Sequence, residues 1–305
     1  MKFYIGIDLG GTNVRTLLVD EQGATYSEVK ESTEKQHGPD FVTEKIIRMI
    51  ESLDYSACNG IENVEGIGIG VPGPVDTVNG VMIMATNLGK GFEGYPICDK
   101  LKEKFNLPTF IDNDANVAGL AEAILGAGKG KPTVFYTTIS TGIGGAFVVD
   151  GKLVSGGRGH AGEIGNIIVK NNGYKHGALN AGAAEGEASG TALTRKGKEL
   201  IGEEIQHAGN VFELASQGNE VAQQLVDEFI DNISTMFANI SHVVDPHCIV
   251  IGGGVMKAKE HFFDRLVEAF NSKIHVGMRG HIELVQNELE DCGAIGAAML
   301  PMSRL

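Results

Sequence analysis

The chain of 305 residues has only four cysteines, Cys58, Cys98, Cys248 and Cys292, far apart and without a CxxC pair. A disulfide-stapled scaffold is excluded, and reduced, mostly buried thiols are expected instead of a metal or redox centre. Basic residues are scarce: 25 Lys and Arg stand against 39 Asp and Glu, a net charge of −14. With no long basic run, a nucleic-acid duplex would be repelled. Long apolar runs are also missing. From Met1 the chain reaches charged Asp8 too early for a signal sequence, and nothing approaches the ~20 apolar residues of a membrane span, which points to a cytoplasmic protein. A Walker A loop is absent, because every Gly-Lys pair is followed by Gly, Pro, Leu or Glu.

Glycine, by contrast, is abundant: 43 residues, about twice the ~7% of average usage. Such excess suits backbone that turns tightly or approaches a ligand closely. The length fits two domains. Residues 3–9 and 13–20 read as a β-hairpin, 24–31 as a third strand, and 40–53 as an amphipathic helix with Asp40 as N-cap. Strands at 65–71 and 108–112 alternate with helices at 97–105 and 114–126, which predicts an α/β domain. The opening theme returns over 133–155, where strand TVFYTTIS, a glycine-rich turn and strand AFVVD follow one another. Thr12 and Thr141 occupy matching places, so two related α/β halves are expected, each bringing a glycine-rich hairpin to a shared cleft. The longest helix is predicted at 219–243, then a strand at 248–252 and helices at 259–271 and 292–301.

Asp8-Leu9-Gly10-Gly11-Thr12-Asn13 puts a carboxylate at a strand end before a turn without side chains, where N–H groups can approach phosphate and Asp8 can hold hydrated Mg²⁺. Ser140-Thr141-Gly142-Ile143-Gly144-Gly145 repeats that chemistry, and Gly252-Gly253-Gly254 is a third such turn. Gly66-Ile67-Gly68-Ile69-Gly70 has the wrong spacing for a dinucleotide fingerprint and reads as a packed strand. In Asp112-Asn113-Asp114-Ala115-Asn116 one residue suffices as a helix cap, so a carboxylate that accepts the proton of an attacking alcohol is the alternative for the rest. Asn87, Asn113, Asp114, Glu163, Asn166 and Glu185 form the carboxylate and amide set that binds a polyol.

DLGGT at 8–12, GVPGPVD at 70–76, NLG at 87–89, NDAN at 113–116, STGIGG at 140–145, GEIG at 162–165 and IGGG at 251–254 run in order over nearly the whole chain. Together they resemble the bacterial sugar kinases of the ROK family, most of all its glucokinases. The resemblance implies a two-domain actin-like ATPase, or hexokinase-type (ribonuclease H-like), fold. The domains would be 1–117 with a C-terminal helix near 292–305, and 118–291, with the active site in the cleft between them. Asp114 would be the general base. Asp8, Gly10, Gly11, Thr12 and Asn13 would face phosphate and Mg²⁺, Asp8 acting through water. Thr141, Gly142 and Gly144 would form the second phosphate turn, Gly253 and Gly254 would lie near adenosine, and Asn87, Asn113, Glu163 and Glu185 would touch sugar.

Where ROK members often carry one His and three Cys for structural zinc, this chain has Asn166, His176, Ala178 and Ala183. No zinc is therefore expected, and Asn166 is left as an amide with no metal to orient it. The implied activity is ATP-dependent phosphorylation of a hexose, glucose at its 6-hydroxyl first. N-acetylmannosamine, N-acetylglucosamine, allose and β-glucosides are alternatives, as is a non-catalytic binding protein. The family's repressors carry a DNA-binding segment ahead of the first phosphate turn, whereas only seven residues precede Asp8 here, so no nucleic-acid partner is expected. A homodimer is a family expectation.

Overall fold

The computed structural model describes residues 1–85 and 87–305. Its strands are β1 (Phe3–Leu9), β2 (Asn13–Asp20), β3 (Thr25–Ser32), β4 (Val64–Val71), β5 (Val75–Asp76), β6 (Val81–Met82), β7 (Thr109–Asn113), β8 (Thr133–Ile139), β9 (Ile143–Val149), β10 (Lys152–Leu153), β11 (Cys248–Gly252) and β12 (Glu283–Gln286). The helices are α1 (Pro39–Glu51), α2 (Ile97–Phe105), α3 (Asp114–Ile124), α4 (Ala184–Ala188), α5 (Gly190–Leu200), α6 (Ala208–Ser216), α7 (Glu220–Val244), α8 (Phe263–Lys273) and α9 (Cys292–Arg304). No helix among the described residues is long and apolar enough to cross a membrane.

Two five-stranded sheets share one layout, β3-β2-β1-β4-β7 and β10-β9-β8-β11-β12, and a two-stranded ribbon joins β5 to β6. In the first sheet β1, β2 and β3 are antiparallel, while β4 and β7 run parallel to β1. In the second, β8, β11 and β12 are parallel. The chain forms two compact units, one of Met1–Gly130, Ala146–Ala161 and Glu288–Leu305, the other of Lys131–Gly145 and Gly162–Asn287.

The first unit owes its layering to small residues. A carbon added at Gly6 would lie 2.0 Å from the Ala294 carbonyl oxygen, and one at Gly68 would lie 1.8 Å from that of Ala297. Glycine in these strands therefore marks close approach by α9, and the GxGxG run of β4 is a packing surface. On its other side α9 meets α3, where a carbon added at Gly296 would lie 1.9 Å from the Val117 carbonyl oxygen. On α1, Val42, Ile46, Met49 and Ile50 share one face and are buried with Ile5, Ile7 and Ile69, each side chain stabilising by about 1.5–3 kcal/mol. The helix starts one residue ahead of the expected cap: Gly38 is the N-cap with Pro39 at N1. Asp40 instead accepts from Tyr95 Oη at 2.8 Å and pairs with Lys100 at 3.2 Å.

In the second unit Phe212 and Phe262 stack and Phe229 meets both edge to face, with ring centroids 5.1–5.5 Å apart. The helix expected at 259–271 is two elements, a 3-10 segment at Gly254–His261 and then α8, because Phe262 between them, with φ −143° and ψ −20°, is non-helical.

Candidate active site

The first unit brings Asp8, Asn113 and Asp114 to the C-terminal ends of its parallel strands, where open α/β sheets bind ligands. Asp8 is level with Gly70 of β4, and Gly70 with Asp112 of β7. Burial raises the Asp8 carboxyl above the ordinary aspartate range, and the charge of Asp114 raises it further, against a smaller opposing pull from Arg15 and Lys30. Arg15 stands opposite Asp8 across the hairpin, bonds Glu28 at 2.6 Å and pairs with Asp291, the N-cap residue of α9.

Three neighbouring side chains at the β7–α3 junction do different work. Asn113 is the N-cap, its Oδ1 accepting from Asn116 N–H at 2.7 Å. Asp112 is 1% exposed and fully engaged: Asn116 Nδ2 donates to it at 2.6 Å, Asn113 N–H at 2.9 Å and Arg304 Nη2 at 2.6 Å. Burial still raises its carboxyl, with those donors pulling the other way. Asp114 is exposed to solvent, and among the described residues its carboxylate accepts only from backbone at the start of α3, from Ala115 N–H at 2.8 Å. Protein bulk around it nonetheless raises its carboxyl, a favourable setting for a general base.

Asn87 is close by in this unit. Its carbonyl oxygen accepts from Lys35 Nζ at 2.6 Å, and a carbon added at Gly11 would lie 2.4 Å from it. The hairpin turn closes through Gly10 N–H to the Asn13 carbonyl at 3.0 Å. The N–H groups of Gly11 and Thr12 meet no acceptor among the described residues.

The second unit assembles its own group at the ends of β8 and β11. Gly252 is level with Thr138. Gly253 has φ 94°, and a carbon there would lie 2.4 Å from the Ile139 carbonyl oxygen. In the turn of 140–145 the N–H groups of Thr141 and Gly142 meet no acceptor among the described residues. Glu185 Oε2 accepts from Ile143 N–H at 2.8 Å and stands 2.4 Å from where a Gly142 side chain would begin. Glu185 therefore props this turn. The GEIG segment packs beside it, a carbon at Gly165 falling 2.5 Å from the Ile143 carbonyl oxygen. Glu163 and Asn166 are exposed. Asn166 is not a loose amide: its Oδ1 accepts from Asn180 N–H at 2.7 Å, so backbone orients it.

Beside Thr141 and Gly254 opens a cavity of about 660 Å³, whose walls include Gln206, His207, Phe212, Lys257 and His261. Its size is that of an ordinary small-molecule site. Gly144 and Gly253 do not line it. The α5–α6 wall escaped sequence reasoning because its residues share no motif and meet only through the packing of short helices.

In the first unit the unclaimed N–H groups of Gly11 and Thr12 suit phosphate oxygens, and Asp8 and Asp114 crowd negative charge that a cation such as Mg²⁺ would neutralise. The second unit, by itself, offers the unclaimed N–H groups of Thr141 and Gly142 beside its cavity. Among the described residues no group of three His, Cys, Asp or Glu could hold a metal ion.

A family profile described as the ROK family matches residues 4–304. The glucokinase of Thermotoga maritima is 32% identical over 99% of this chain and 98% of its own length. The N-acetylmannosamine kinase of Escherichia coli is 30% identical over 97% of each. A xylose repressor of Caldicellulosiruptor bescii is 27% identical over 94% of this chain and 74% of its own. Among solved structures, a ROK hexokinase from Thermus thermophilus has a TM-score of 0.87 at 32% identity, covering 98% of this chain and 97% of that one. A ROK glucokinase from Streptomyces griseus, solved with glucose and AMPPNP, has a TM-score of 0.73 at 29% identity over 98% of both. The expected actin-like ATPase fold is the one observed.

Proposed function

Since the chain belongs to the ROK family, we propose that it is an ATP-dependent hexose kinase, with the 6-hydroxyl of glucose as first-choice acceptor. The observation that carries the proposal is the contrast at β7–α3: Asp112 spends its carboxylate on structure, while Asp114 keeps one open to solvent beside Asp8. Asp114 takes the proton of the sugar hydroxyl as the oxygen–phosphorus bond forms and the bond from the γ-phosphorus to the β,γ-bridging oxygen breaks, leaving ADP. The N–H groups of Gly11, Thr12, Thr141 and Gly142 meet charge on phosphate oxygens, and Asp8 is the residue that would hold Mg²⁺. When bound, the ion neutralises phosphate charge.

Glucose leads because the Thermotoga maritima and Streptomyces griseus relatives are glucokinases. The Escherichia coli relative, an N-acetylmannosamine kinase, makes that sugar the second candidate, ahead of N-acetylglucosamine, allose and β-glucosides. Asn87, Asn113, Glu163, Asn166 and Glu185 are the proposed sugar contacts, Glu185 offering only the oxygen that Ile143 does not use. A sugar panel in a coupled ADP-release assay tests this. Turnover with one hexose at least tenfold above the others is expected. Sugar and nucleotide binding without ADP release would mean a non-catalytic member.

A further inference from the structure

Thr33 directly follows β3 and is fully buried, where a hydroxyl is costly unless bonded. Both its donors go to the first glycine turn. Oγ1 donates to the Gly10 carbonyl at 2.6 Å, and its N–H donates to the Thr12 carbonyl at 2.8 Å. Ser32 Oγ reaches the same Thr12 carbonyl at 3.4 Å, and Lys45 Nζ, buried beneath, holds the Ser32 carbonyl at 2.8 Å.

A trans peptide unit is planar, with its C=O and N–H pointing in opposite directions. The Gly10 carbonyl shares its plane with the N–H of Gly11, and the Thr12 carbonyl shares its plane with that of Asn13. Anchoring the Gly10 carbonyl on Thr33 therefore sets the direction of a Gly11 N–H that meets no acceptor among the described residues. Gly10 and Gly11 have the widest backbone freedom of any residue type, and among the described residues the turn's own closing bond is the single one from Gly10 N–H to the Asn13 carbonyl. Order in this turn has to be imposed from outside.

We infer that Thr33 is a positioning residue for nucleotide, its hydroxyl holding the Gly10–Gly11 peptide so that the Gly11 N–H is presented to a phosphate oxygen. The inference rests on the kinase proposal only for the identity of the anion.

Thr33→Val keeps the side-chain shape and deletes the donor, and Thr33→Ser keeps the donor. Kinetics with ATP and the preferred hexose, AMP-PNP affinity by calorimetry, and Tm are measured for both. Thr33→Val should raise the nucleotide KM and Kd about tenfold, the scale of one buried hydrogen bond lost with its acceptor stranded, and leave the hexose KM within twofold. Thr33→Ser should restore nucleotide binding to within twofold. Unchanged nucleotide affinity in Thr33→Val overturns the inference, as does an equal loss for both substrates accompanied by a fall in Tm. Should Thr33→Val not fold, Thr33→Ala removes the same donor and is read in the same way. If the wild type binds AMP-PNP but phosphorylates no hexose, the affinity comparison still decides the role of Thr33 and only the kinase proposal fails. A wild type that binds no nucleotide overturns both.

Discussion

Replacing Asp114 with Asn separates chemistry from folding. The carboxylate sits at the first position of α3 and accepts from Ala115 N–H, a bond the Asn oxygen can keep. Loss of a negative charge at a helix start costs about 0.3–1 kcal/mol. Against that, the substitution removes a charge that burial disfavours and that raises Asp8. The two effects oppose each other, so stability should change by no more than about 1 kcal/mol, a shift in Tm of roughly 2–4 °C. Loss of a general base costs typically ~10²–10⁴ in rate, or about 2.7–5.5 kcal/mol of barrier. Thermal melts beside steady-state kinetics should therefore show kcat down at least a hundredfold with Tm nearly unmoved.

The pH dependence follows from the same shifts. As the proposed general base Asp114 must be ionised, and its carboxyl is raised, so kcat/KM should fall with acid at a pH above the usual aspartate range. For stability the sign is reversed. A raised carboxyl contributes stability below its unfolded pKa that is lost as pH rises through its folded pKa. The Tm of Asp114→Asn minus that of wild type should therefore increase as pH rises through that window. A variant with kcat within tenfold of wild type, or one that loses activity together with 10 °C of Tm, would refute the assignment.

Arg304→Met leaves Asp112 buried without its cation. Because the Arg304 side chain is 24% exposed, the expected loss is about 2–4 kcal/mol, somewhat below the usual cost of breaking a buried pair, read from urea unfolding. Gly68→Ala should abolish folded, soluble protein or cost about 3 kcal/mol or more, since its new carbon would lie 1.8 Å from a carbonyl oxygen, whereas Gly157→Ala, with open space around it, should be silent. Burial pushes the Cys98 thiol to about 12 and the Cys248 thiol to about 11, so at pH 8 a thiol reagent should modify neither until the protein is unfolded. Elemental analysis of purified protein should find far less than one zinc per chain; stoichiometric zinc whose removal abolishes activity would show that other residues rebuild such a site.

What could be seen in the sequence was whatever one short segment encodes. The hairpin of β1 and β2, the packed GxGxG strand and the glycine turns announce themselves through alternation and through the need for backbone without side chains. Asp114 could be singled out because four polar residues in five exceed what one cap requires. The division of labour between Asp112 and Asp114 could not be read there, since it depends on Arg304, which meets Asp112 only after α9 crosses the sheet. Glu185 posed a similar problem. As a carboxylate among small residues it reads as a sugar ligand, and only the fold discloses that it also holds Ile143 N–H. Asp40 resembled a cap, yet Pro39, with φ already set for a helix, moved the start back by a residue.

The glycine-floored face of β1 and β4 has a consequence for the order of events during synthesis. Gly6 leaves the ribosome among the first residues, while its cover, Ala294 and Ala298, comes nearly a whole chain later. At ~5–20 residues per second that interval is roughly 15–60 s. Throughout it the opening sheet can pair its strands but cannot bury that face, so the first compact unit must complete itself after translation of everything between its pieces. Such remote pairing slows folding, and it makes the nascent chain a natural client for whatever protects exposed sheet surfaces in the cell.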